Sequence, residues 1–436
     1  MKNNINKYME LIIIFTMTLL FTSLLDLNYD EVWNYGFSYN IATGLIPYKD
    51  FNMVLTPLYP FLGSLFLIVF GKNILVFHIF NALICTSIFY FIKKQNDRSY
   101  YICYMILLSV SLPNYNLFCL LLLYLLMYYE KNNKNDYIIG VILGMTFLTK
   151  QNIGLALCVP TLFIKDKKKI FKRIIGFLIP NSIFLLYLII THTLYNFINY
   201  TFLGMESFLK DNFLINPVCI LTLISIIYLI YMYIKNHKIE NLYMLFFQSI
   251  AFQIFNFHHV VIGFIPVLGS MLSNFKFIKK HTQLVFLLYV SLIFTTKILP
   301  ILDNKAVFIN STNSFKYRYF DKTIENCIKK IGDYYLNTEG KIYILDDFAY
   351  TIKLELGIPI NKYDLINNGN LGKNGEQIVI SEFEETCKDN KCVFLLNQNN
   401  LKGRESIQTS KVILNYINNN YNSENTLCGL TIYKSE

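Results

Sequence analysis

Two adjacent carboxylates, Asp30 and Glu31, are the residues whose type and position best suit chemistry. They follow the first long apolar run directly, at a predicted membrane boundary where a carboxylate costs free energy unless it faces water or a partner. A carboxylate beside an acceptor hydroxyl can take its proton as a general base. Acidic residues at this place can also simply cap a helix, because the helix dipole favours anions there. Asp30 is therefore the first candidate base and Glu31 the second, with helix capping as the alternative.

The segment after this pair is dense in turn and aromatic residues, which indicates a shaped pocket rather than a loose loop. Residues 32–43 have the pattern of a short interfacial helix, and Gly44 lies just past its end, where a C-cap is expected. Pro47 and Pro57 predict turns. Residues 57–70 predict a second helix that lies at the outer interface of a membrane.

If the reaction releases an anionic leaving group, its developing charge must be stabilised by nearby cations. Few cations are predicted on the same side of the membrane as the acidic pair. They are Lys49, Lys72, Lys150, Lys210 and Lys297, together with His258 and His259. Such lysines often only extend to the interface, and histidines at a helix end are more often packing residues. Lys150 is the strongest candidate, because it lies in a tight turn between two short helices and is held near membrane depth.

The composition places these residues in a membrane protein. The chain has 436 residues, of which 54% are hydrophobic and 16% charged, and its mean hydropathy is +0.39. That is too apolar for an ordinary soluble protein, and the apolar residues form long runs. Runs of spanning length, alone or with their flanks, cover residues 11–25, 74–92, 174–190, 217–234, 242–257 and 284–302. Shorter runs cover residues 99–112, 117–129, 137–148, 153–164 and 260–272.

The distribution of Lys and Arg predicts the topology of these runs. If the N-terminus is cytoplasmic and each run crosses, the inner segments hold 18 Lys and Arg, and the outer segments before Asp303 hold 5. This asymmetry follows the positive-inside rule and predicts about 11 spans with the C-terminal region outside. Residues 57–70 are not counted, since a crossing there would place the basic run 165–173 outside. The net charge of +10 is thereby explained without a nucleic-acid partner.

The composition changes after residue 302, which predicts a transmembrane domain over residues 1–302 and a small extracytoplasmic α/β domain over residues 303–436. Its predicted strands cover residues 341–345, 377–380, 393–396 and 430–433, and its predicted helix covers residues 407–421. Alternating strand and helix patterns of this kind are typical of a small α/β domain, with a loosely folded tail as the alternative.

Nine cysteines divide between the two regions. Cys85, Cys103, Cys119, Cys158 and Cys219 lie in apolar runs and are predicted to be inert core residues. Cys327, Cys387, Cys392 and Cys428 lie in the C-terminal region, where three pairings are possible. Cys387 and Cys392 can close a small turn, and free buried thiols are an equal alternative. The spacing lacks the second close pair that a zinc site needs.

The first outer segment and its topology resemble the membrane glycosyltransferases of the C-type (GT-C) fold. The resemblance is to the dolichyl-phosphate-mannose–protein mannosyltransferases (family 39) and the aminoarabinose-transferase-like group. The matching residues are Asp30, Glu31, Gly44, Pro47, Tyr48, Asp50, Thr56, Pro57, Tyr59 and Pro60. A weaker match covers residues 148–154, which include Lys150 and Gln151. No motif of this kind covers the C-terminal region.

The resemblance implies transfer of a sugar from a polyprenyl-phosphate donor to a glycan, lipid or protein acceptor on the outer face of the cell membrane. It implies that Asp30 is the catalytic base. The predicted substrate-binding residues combine the matched segment and the outer cations: Tyr48, Lys49, Asp50, Tyr59, Lys150, Gln151, His258 and His259. Many family members carry a second acidic residue in the next outer loop, but residues 113–116 contain none. We therefore predict no metal site, although a divalent metal can assist such chemistry.

Three other functions fit a membrane protein of this kind. A transporter or flippase of lipid-linked sugars would place polar or broken helices near the midplane, often in repeated halves, and no duplication is seen. A glycan polymerase or ligase would use a later loop. A non-catalytic subunit of envelope assembly needs no site. An outer cavity joining Asp30 to Lys150 and His258 would favour the enzyme.

Overall fold

The fold is known from a computed structural model. It describes residues 2–24, 29–95, 100–132, 134–204, 217–252, 256–274, 288–289, 291–292, 295–296, 306–309, 314–316, 318–346, 349–365, 371–397 and 410–435.

Helices dominate the first part of the chain. They are α1 (Lys2–Leu24), α2 (Tyr29–Ala42), α3 (Leu58–Phe70), α4 (Ile74–Gln95), α5 (Tyr100–Ser109), α6 (Tyr115–Lys131), α7 (Asp136–Thr149), α8 (Gln151–Cys158), α9 (Lys167–Ile190), α10 (Leu194–Ile198), α11 (Cys219–Asn236), α12 (Ile239–Phe247), α13 (Ser249–Phe252) and α14 (Phe257–Asn274). A 3₁₀ turn, Val159–Phe163, extends α8, and a π-helical turn, Asn199–Leu203, extends α10.

Three of these helices are long and apolar enough to cross a membrane, over Ile74–Lys94, Lys167–Ile190 and Cys219–Asn236. Only 17% of the most apolar window of α9 is buried inside the protein, as expected of a helix that faces lipid. The predicted count of about 11 spans is not supported. The shorter runs form helices such as α5, whose 10 residues reach about half of the ~30 Å hydrocarbon thickness. The predicted span over residues 284–302 lies largely outside the described residues.

Close backbone contact fixes α7 against α9, and α7 leads directly into the turn that carries Lys150. A Cβ atom at Gly140 would lie 2.1 Å from the carbonyl oxygen of Arg173, and one at Gly176 would lie 2.1 Å from that of Tyr137. Small residues that let helix backbones approach are typical of helix pairs in membranes. These two glycines therefore determine how closely the helices approach near the cytoplasmic side predicted for them.

The C-terminal region contains β1 (Ala306–Ile309), β2 (Arg318–Asp321), α15 (Lys322–Asn337), β3 (Lys341–Leu345), α16 (Ala349–Glu355), α17 (Gly375–Asp389), β4 (Cys392–Asn397), α18 (Lys411–Asn420), β5 (Asn422–Leu427) and β6 (Leu430–Lys434). β1 and β2 form an antiparallel pair. The other strands form a four-stranded sheet in the order β3-β4-β6-β5, in which only β3 and β4 are parallel.

The sequence correctly predicts β3, β4, β6 and α18 and is wrong at residues 377–380. This segment is not a strand but part of helix α17. The reason is its periodicity, because Val379 and Phe383 are buried four residues apart while Ile378 is exposed. A short apolar run does not distinguish helix from strand without this longer context.

Both cysteine pairs of the C-terminal region are disulfides, Cys327–Cys428 and Cys387–Cys392. The first ties α15 to the β5–β6 turn across 101 residues of sequence. The second closes the small turn between α17 and β4, and the alternative of free thiols is therefore wrong. Within the described part of the chain, no group of three or more His, Cys, Asp or Glu residues is arranged to hold a metal ion.

The C-terminal region packs directly on α2, the helix that carries the acidic pair. The Asn40 side chain donates to the Ile360 carbonyl at 2.7 Å and accepts from the Ile360 amide at 3.1 Å. A Cβ atom at Gly36 would lie 2.8 Å from the Ile360 side chain and 3.0 Å from the ring of Tyr350. The position of α2 therefore depends on residues of the C-terminal region as well as on the helices next to it in sequence.

The predicted outer location of the C-terminal region is testable by cysteine labelling. Ser381 is exposed on α17, and Lys167 is exposed at the start of α9 in the basic run predicted to be cytoplasmic. We expect an impermeant maleimide to label Ser381→Cys in intact cells and to label Lys167→Cys only after lysis, each compared with the parent protein. The reverse pattern would overturn the predicted topology.

Candidate functional site

The acidic pair lies in the first turn of α2, where a helix N-terminus was predicted. The two neighbouring carboxylates have different surroundings. Glu31 is completely buried, whereas Asp30 is half-buried. Successive side chains on a helix point in directions about 100° apart, so neighbours face different elements.

Glu31 is held by two basic side chains. One of its carboxylate oxygens lies 2.5 Å from Nε2 of His78 on α4, and the other accepts from Nη2 of Arg318 at 2.9 Å. The Arg318 Nη1 also donates to the carbonyl of Ser23 at 2.8 Å, and the Ser23 hydroxyl lies 3.1 Å from Nδ1 of His78. Both oxygens of Glu31 are therefore engaged, which favours a structural role over that of a second base.

Asp30 interacts electrostatically with Lys150 across the site. Burial raises the pKa of Asp30, and the positive charge of Lys150 opposes this rise. Lys150 is 3% exposed, and burial lowers its pKa to about 8, opposed by Cys119 and by Asp30. Its ammonium also lies 5.3 Å from the centre of the Tyr115 ring. The site thus pairs a carboxylate with an ammonium that titrates near physiological pH.

A directional chain of hydrogen bonds connects Lys150 to the histidines. The Lys150 ammonium donates to Oδ1 of Asn116 at 3.1 Å, which turns the Asn116 amide nitrogen towards Nε2 of His259 at 3.3 Å. The His259 Nδ1 then donates to Oδ1 of Asn256 at 2.7 Å. This network assigns His259 as the neutral tautomer protonated at Nδ1.

His258 is oriented in the same way by Asn114. The Asn114 side-chain oxygen accepts from the backbone amides of Asn116 and Leu117 and caps α6. Its amide nitrogen therefore faces Nε2 of His258 and donates to it. The structure thus brings together four residues that the sequence predicted separately: Asp30, Lys150, His258 and His259.

Tyr115, Asn114 and Asn116 were not predicted as site residues. Their loop, residues 113–116, was considered only because it lacks a carboxylate. The sequence signal that could have identified them is a pair of asparagines on either side of a tyrosine, at the start of an apolar helix.

The predicted residues Tyr48 and Tyr59 are buried and shape the first segment. The Tyr48 hydroxyl donates to the Leu55 carbonyl at 2.6 Å, and its ring packs against Phe197 with centroids 5.3 Å apart. Tyr59 is fully buried among the rings of Phe77, Phe80 and Phe118. These contacts favour packing over substrate contact for both tyrosines.

Lys49, Asp50 and Gln151 lie around the same segment. Lys49 is exposed. The Asp50 carboxylate accepts from the Ile46 amide at 2.7 Å and closes the turn. Gln151 is buried and donates to the carbonyls of Thr201 and Val54 at 3.0 and 3.3 Å. Gln151, the first residue of α8, thus connects the loop that contains Val54 to the π-helical turn that contains Thr201.

Two cavities in the described part of the chain can be compared with the site, and neither of them is lined by the predicted site residues. One of about 490 Å³ lies in the C-terminal region and is lined by Tyr335, Gly340, Lys341, Ile342, Tyr343, Asn361, Tyr363 and Thr386. The other, of about 160 Å³, lies among α4, α6, α12 and α14, beside Lys131 and Lys238. The predicted cavity joining Asp30, Lys150 and His258 is therefore neither of these two.

No protein-family model matches the chain, and no curated protein matches it. Among solved structures, the chain is similar to the oligosaccharyltransferase of Archaeoglobus fulgidus. The complex with Zn and sulfate is 13% identical, with a TM-score of 0.39 over 88% of this chain and 67% of that chain. The form tethered to an acceptor peptide with the NVT sequon is 11% identical, with a TM-score of 0.42 over 88% and 69%.

The third structure is AglB from the same organism with an inhibitory peptide and a dolichol-phosphate. It is 12% identical, with a TM-score of 0.42 over 89% of this chain and 70% of that chain. A likeness at such TM-scores is too weak to carry fold or function over to this chain. The resemblance to family 39 and the aminoarabinose-transferase-like group stays a prediction.

The hydrogen-bond chain predicts that Asn116 stabilises the site. Asn116→Leu removes the acceptor for Lys150 and the donor for His259, and unpaired buried polar groups typically cost about 1–3 kcal/mol. We expect a clearly lower thermal unfolding midpoint of the detergent-solubilised protein. Asn241→Leu is the matched control, because buried Asn241 donates to one side chain only, Asn236. Equal losses in the two variants would contradict the special role of Asn116.

Proposed function

We propose that the chain is a membrane glycosyltransferase that moves a sugar from a polyprenyl-phosphate donor to an acceptor hydroxyl at the outer membrane face. The observation that carries this proposal is the electrostatic pairing of Asp30 with the buried Lys150. A base and a cation are the two groups that displacement of a phosphate from a sugar requires.

Lys150 is the group that would bind the donor phosphate. Its ammonium has three donors, of which one is directed to Asn116 and the others are suited to anionic oxygens. The phosphate leaves as an anion, and a cation in a water-poor site stabilises that developing charge more strongly than in water. Asn116 and Tyr115 contact this cation and fix its position.

Asp30 is the group that would activate the acceptor. Its carboxylate takes the proton of the acceptor hydroxyl while the hydroxyl oxygen attacks the anomeric carbon. The bond between that carbon and the phosphate oxygen breaks, and the electron pair leaves with the phosphate. A single displacement of this kind inverts the anomeric configuration. Glu31 has no direct part, because it is engaged with Arg318 and His78.

The surroundings of the site support a lipid-linked substrate at an outer face. Apolar helices such as α9 and α11 supply a lipid-facing surface. Two disulfides in the C-terminal region are typical of an oxidising compartment outside the cytoplasm. The asymmetry of Lys and Arg in the sequence supports the same orientation.

Asp30→Asn tests the assignment of the base. Asn keeps the shape of Asp but cannot accept the proton, and such assistance typically contributes ~10²–10⁴-fold. We expect transfer by the purified variant to fall by that factor with an unchanged thermal unfolding midpoint. The assay is transfer from a polyprenyl-phosphate-linked sugar to an acceptor hydroxyl.

Asp166→Asn is the matched control for Asp30→Asn. Asp166 is the N-cap of α9, where its side chain accepts from the Lys168 amide, so it represents an acidic residue that only caps a helix. If Asp30→Asn keeps full transfer as this control does, Asp30 is a cap and not the base. Transfer would then depend on another base, whereas absence of transfer by the wild type would favour a flippase or a non-catalytic subunit.

The pKa of Lys150 predicts the pH dependence of donor binding. Below about pH 8 the ammonium is charged and holds the phosphate, and above its pKa the charge is lost. The KM for the donor should therefore rise at alkaline pH in the wild type. Lys150→Arg should move this rise to higher pH, because guanidinium stays charged.

Lys150→Ala should raise the KM for the donor at every pH. The matched control is Lys72→Ala, since Lys72 is an exposed lysine that follows α3, whereas Lys150 is buried. Unchanged donor kinetics in Lys150→Ala would give Lys150 a purely structural role.

A further inference from the structure

We infer that Arg318 is a positioning residue through which the C-terminal region holds the catalytic first turn of α2. The contact itself is a feature of the fold, and its consequence for transfer rests on the proposed function. The arginine lies 287 residues after Glu31 in the sequence, at the start of β2. It is completely buried, although it belongs to a region predicted to lie outside the membrane.

The Arg318 guanidinium bridges two elements of the first segment. Nη1 donates to the carbonyl of Ser23 near the end of α1, and Nη2 donates to Glu31 in the first turn of α2. One planar group with fixed donor directions thereby sets the distance between the end of one helix and the start of the next. Lys offers a single point charge and cannot reproduce both directions.

Ser314, which precedes Arg318 in the sequence, makes a further contact with the helical part of the chain. The Ser314 carbonyl accepts from the amide of Ile74, the first residue of α4, at 2.7 Å. That helix also supplies His78, the second partner of Glu31. Ser314 and Arg318 therefore connect α1, α2 and α4 beside the acidic pair.

Asp30 is the residue next to the anchored carboxylate and shares its helical turn. The Asn34 side chain donates to the Asp30 carbonyl at 2.7 Å, so this turn is fixed from within as well. A base displaced by about 1 Å from its productive position can lose roughly 10²-fold in rate. Loss of Arg318 should therefore reduce kcat while leaving the KM for the donor, which depends on Lys150, nearly unchanged.

A purely structural arginine would act through stability alone. Removal of one partner leaves the other charge buried and uncompensated, and that penalty disappears when both partners are neutral. The double variant Glu31→Gln/Arg318→Met therefore separates the two roles. With a structural role, it regains both folding stability and kcat. With a positioning role, it regains stability, but kcat stays low because the bridge to Ser23 is still absent.

The experiment compares Arg318→Met, Arg318→Lys and the double variant in the full-length protein. The control is Arg173→Met, which breaks a second buried arginine ion pair, with Glu130 and Asp136, away from α2. Hydrogen–deuterium exchange of residues 29–42 reports the anchoring of α2 without any substrate. Transfer from a polyprenyl-phosphate-linked sugar reports kcat and the donor KM.

We expect Arg318→Met to increase exchange in residues 29–42 more than Arg173→Met does, and to lower kcat roughly 10²-fold at a nearly constant donor KM. Arg318→Lys should lie between Arg318→Met and the wild type, and kcat should stay low in the double variant. Unchanged exchange in residues 29–42, or recovery of kcat in the double variant, would overturn the inference. If the wild type transfers no sugar, the proposed function fails, and the exchange result alone decides whether Arg318 holds α2.

Discussion

The burial of one carboxylate, Glu31, is the constraint on which the candidate site depends. A fully buried carboxylate is unfavourable unless it is paired and hydrogen-bonded. Here the two partners come from distant parts of the chain, His78 on α4 and Arg318 on β2. The first segment can therefore reach its final arrangement only when the helical part and the C-terminal region have both folded. The packing of the C-terminal region on α2 therefore stabilises the buried carboxylate of Glu31.

In the proposed function, Asp30 acts in the chemistry while Glu31 holds the structure around it. Asp30 interacts electrostatically with Lys150, whose charge favours the ionised carboxylate, while burial favours the protonated one. Lys150 is in turn oriented by Asn116, which also fixes His259. In the proposed function, the base is a carboxylate in the first turn of α2 and the cation is an ammonium in the turn before α8, held by the neutral side chain of Asn116. In such an arrangement, the reacting groups do not need to reorganise when charge develops.

Much of this site was predictable from local sequence. The helix after Asp30, the turn at Lys150 and the short Cys387–Cys392 spacing all have signals within a few residues, whereas the Cys327–Cys428 pair spans 101 residues. The pairing of Glu31 with Arg318 has no such signal, because it depends on a contact across 287 residues. From the sequence alone, both Asp30 and Glu31 were therefore candidate bases, with Asp30 ranked first, and the difference between their surroundings was not predicted.

The prediction of about 11 spans is not supported, and the reason is related. The positive-inside rule assigns a side to each loop on the assumption that every apolar run crosses, whereas crossing depends on how long the helix becomes. Helices such as α5 and α7 end after 10 and 14 residues. Their burial against neighbouring helices is a tertiary feature that local hydropathy does not contain.

The most direct test of the account is an experimental structure of the protein with a bound polyprenyl phosphate. The account predicts the phosphate within about 3 Å of the Lys150 ammonium, with the Asp30 carboxylate open to an acceptor beside it. Density for the phosphate in the cavity beside Lys131 and Lys238, with Lys150 unchanged in its contact to Asn116, would contradict it.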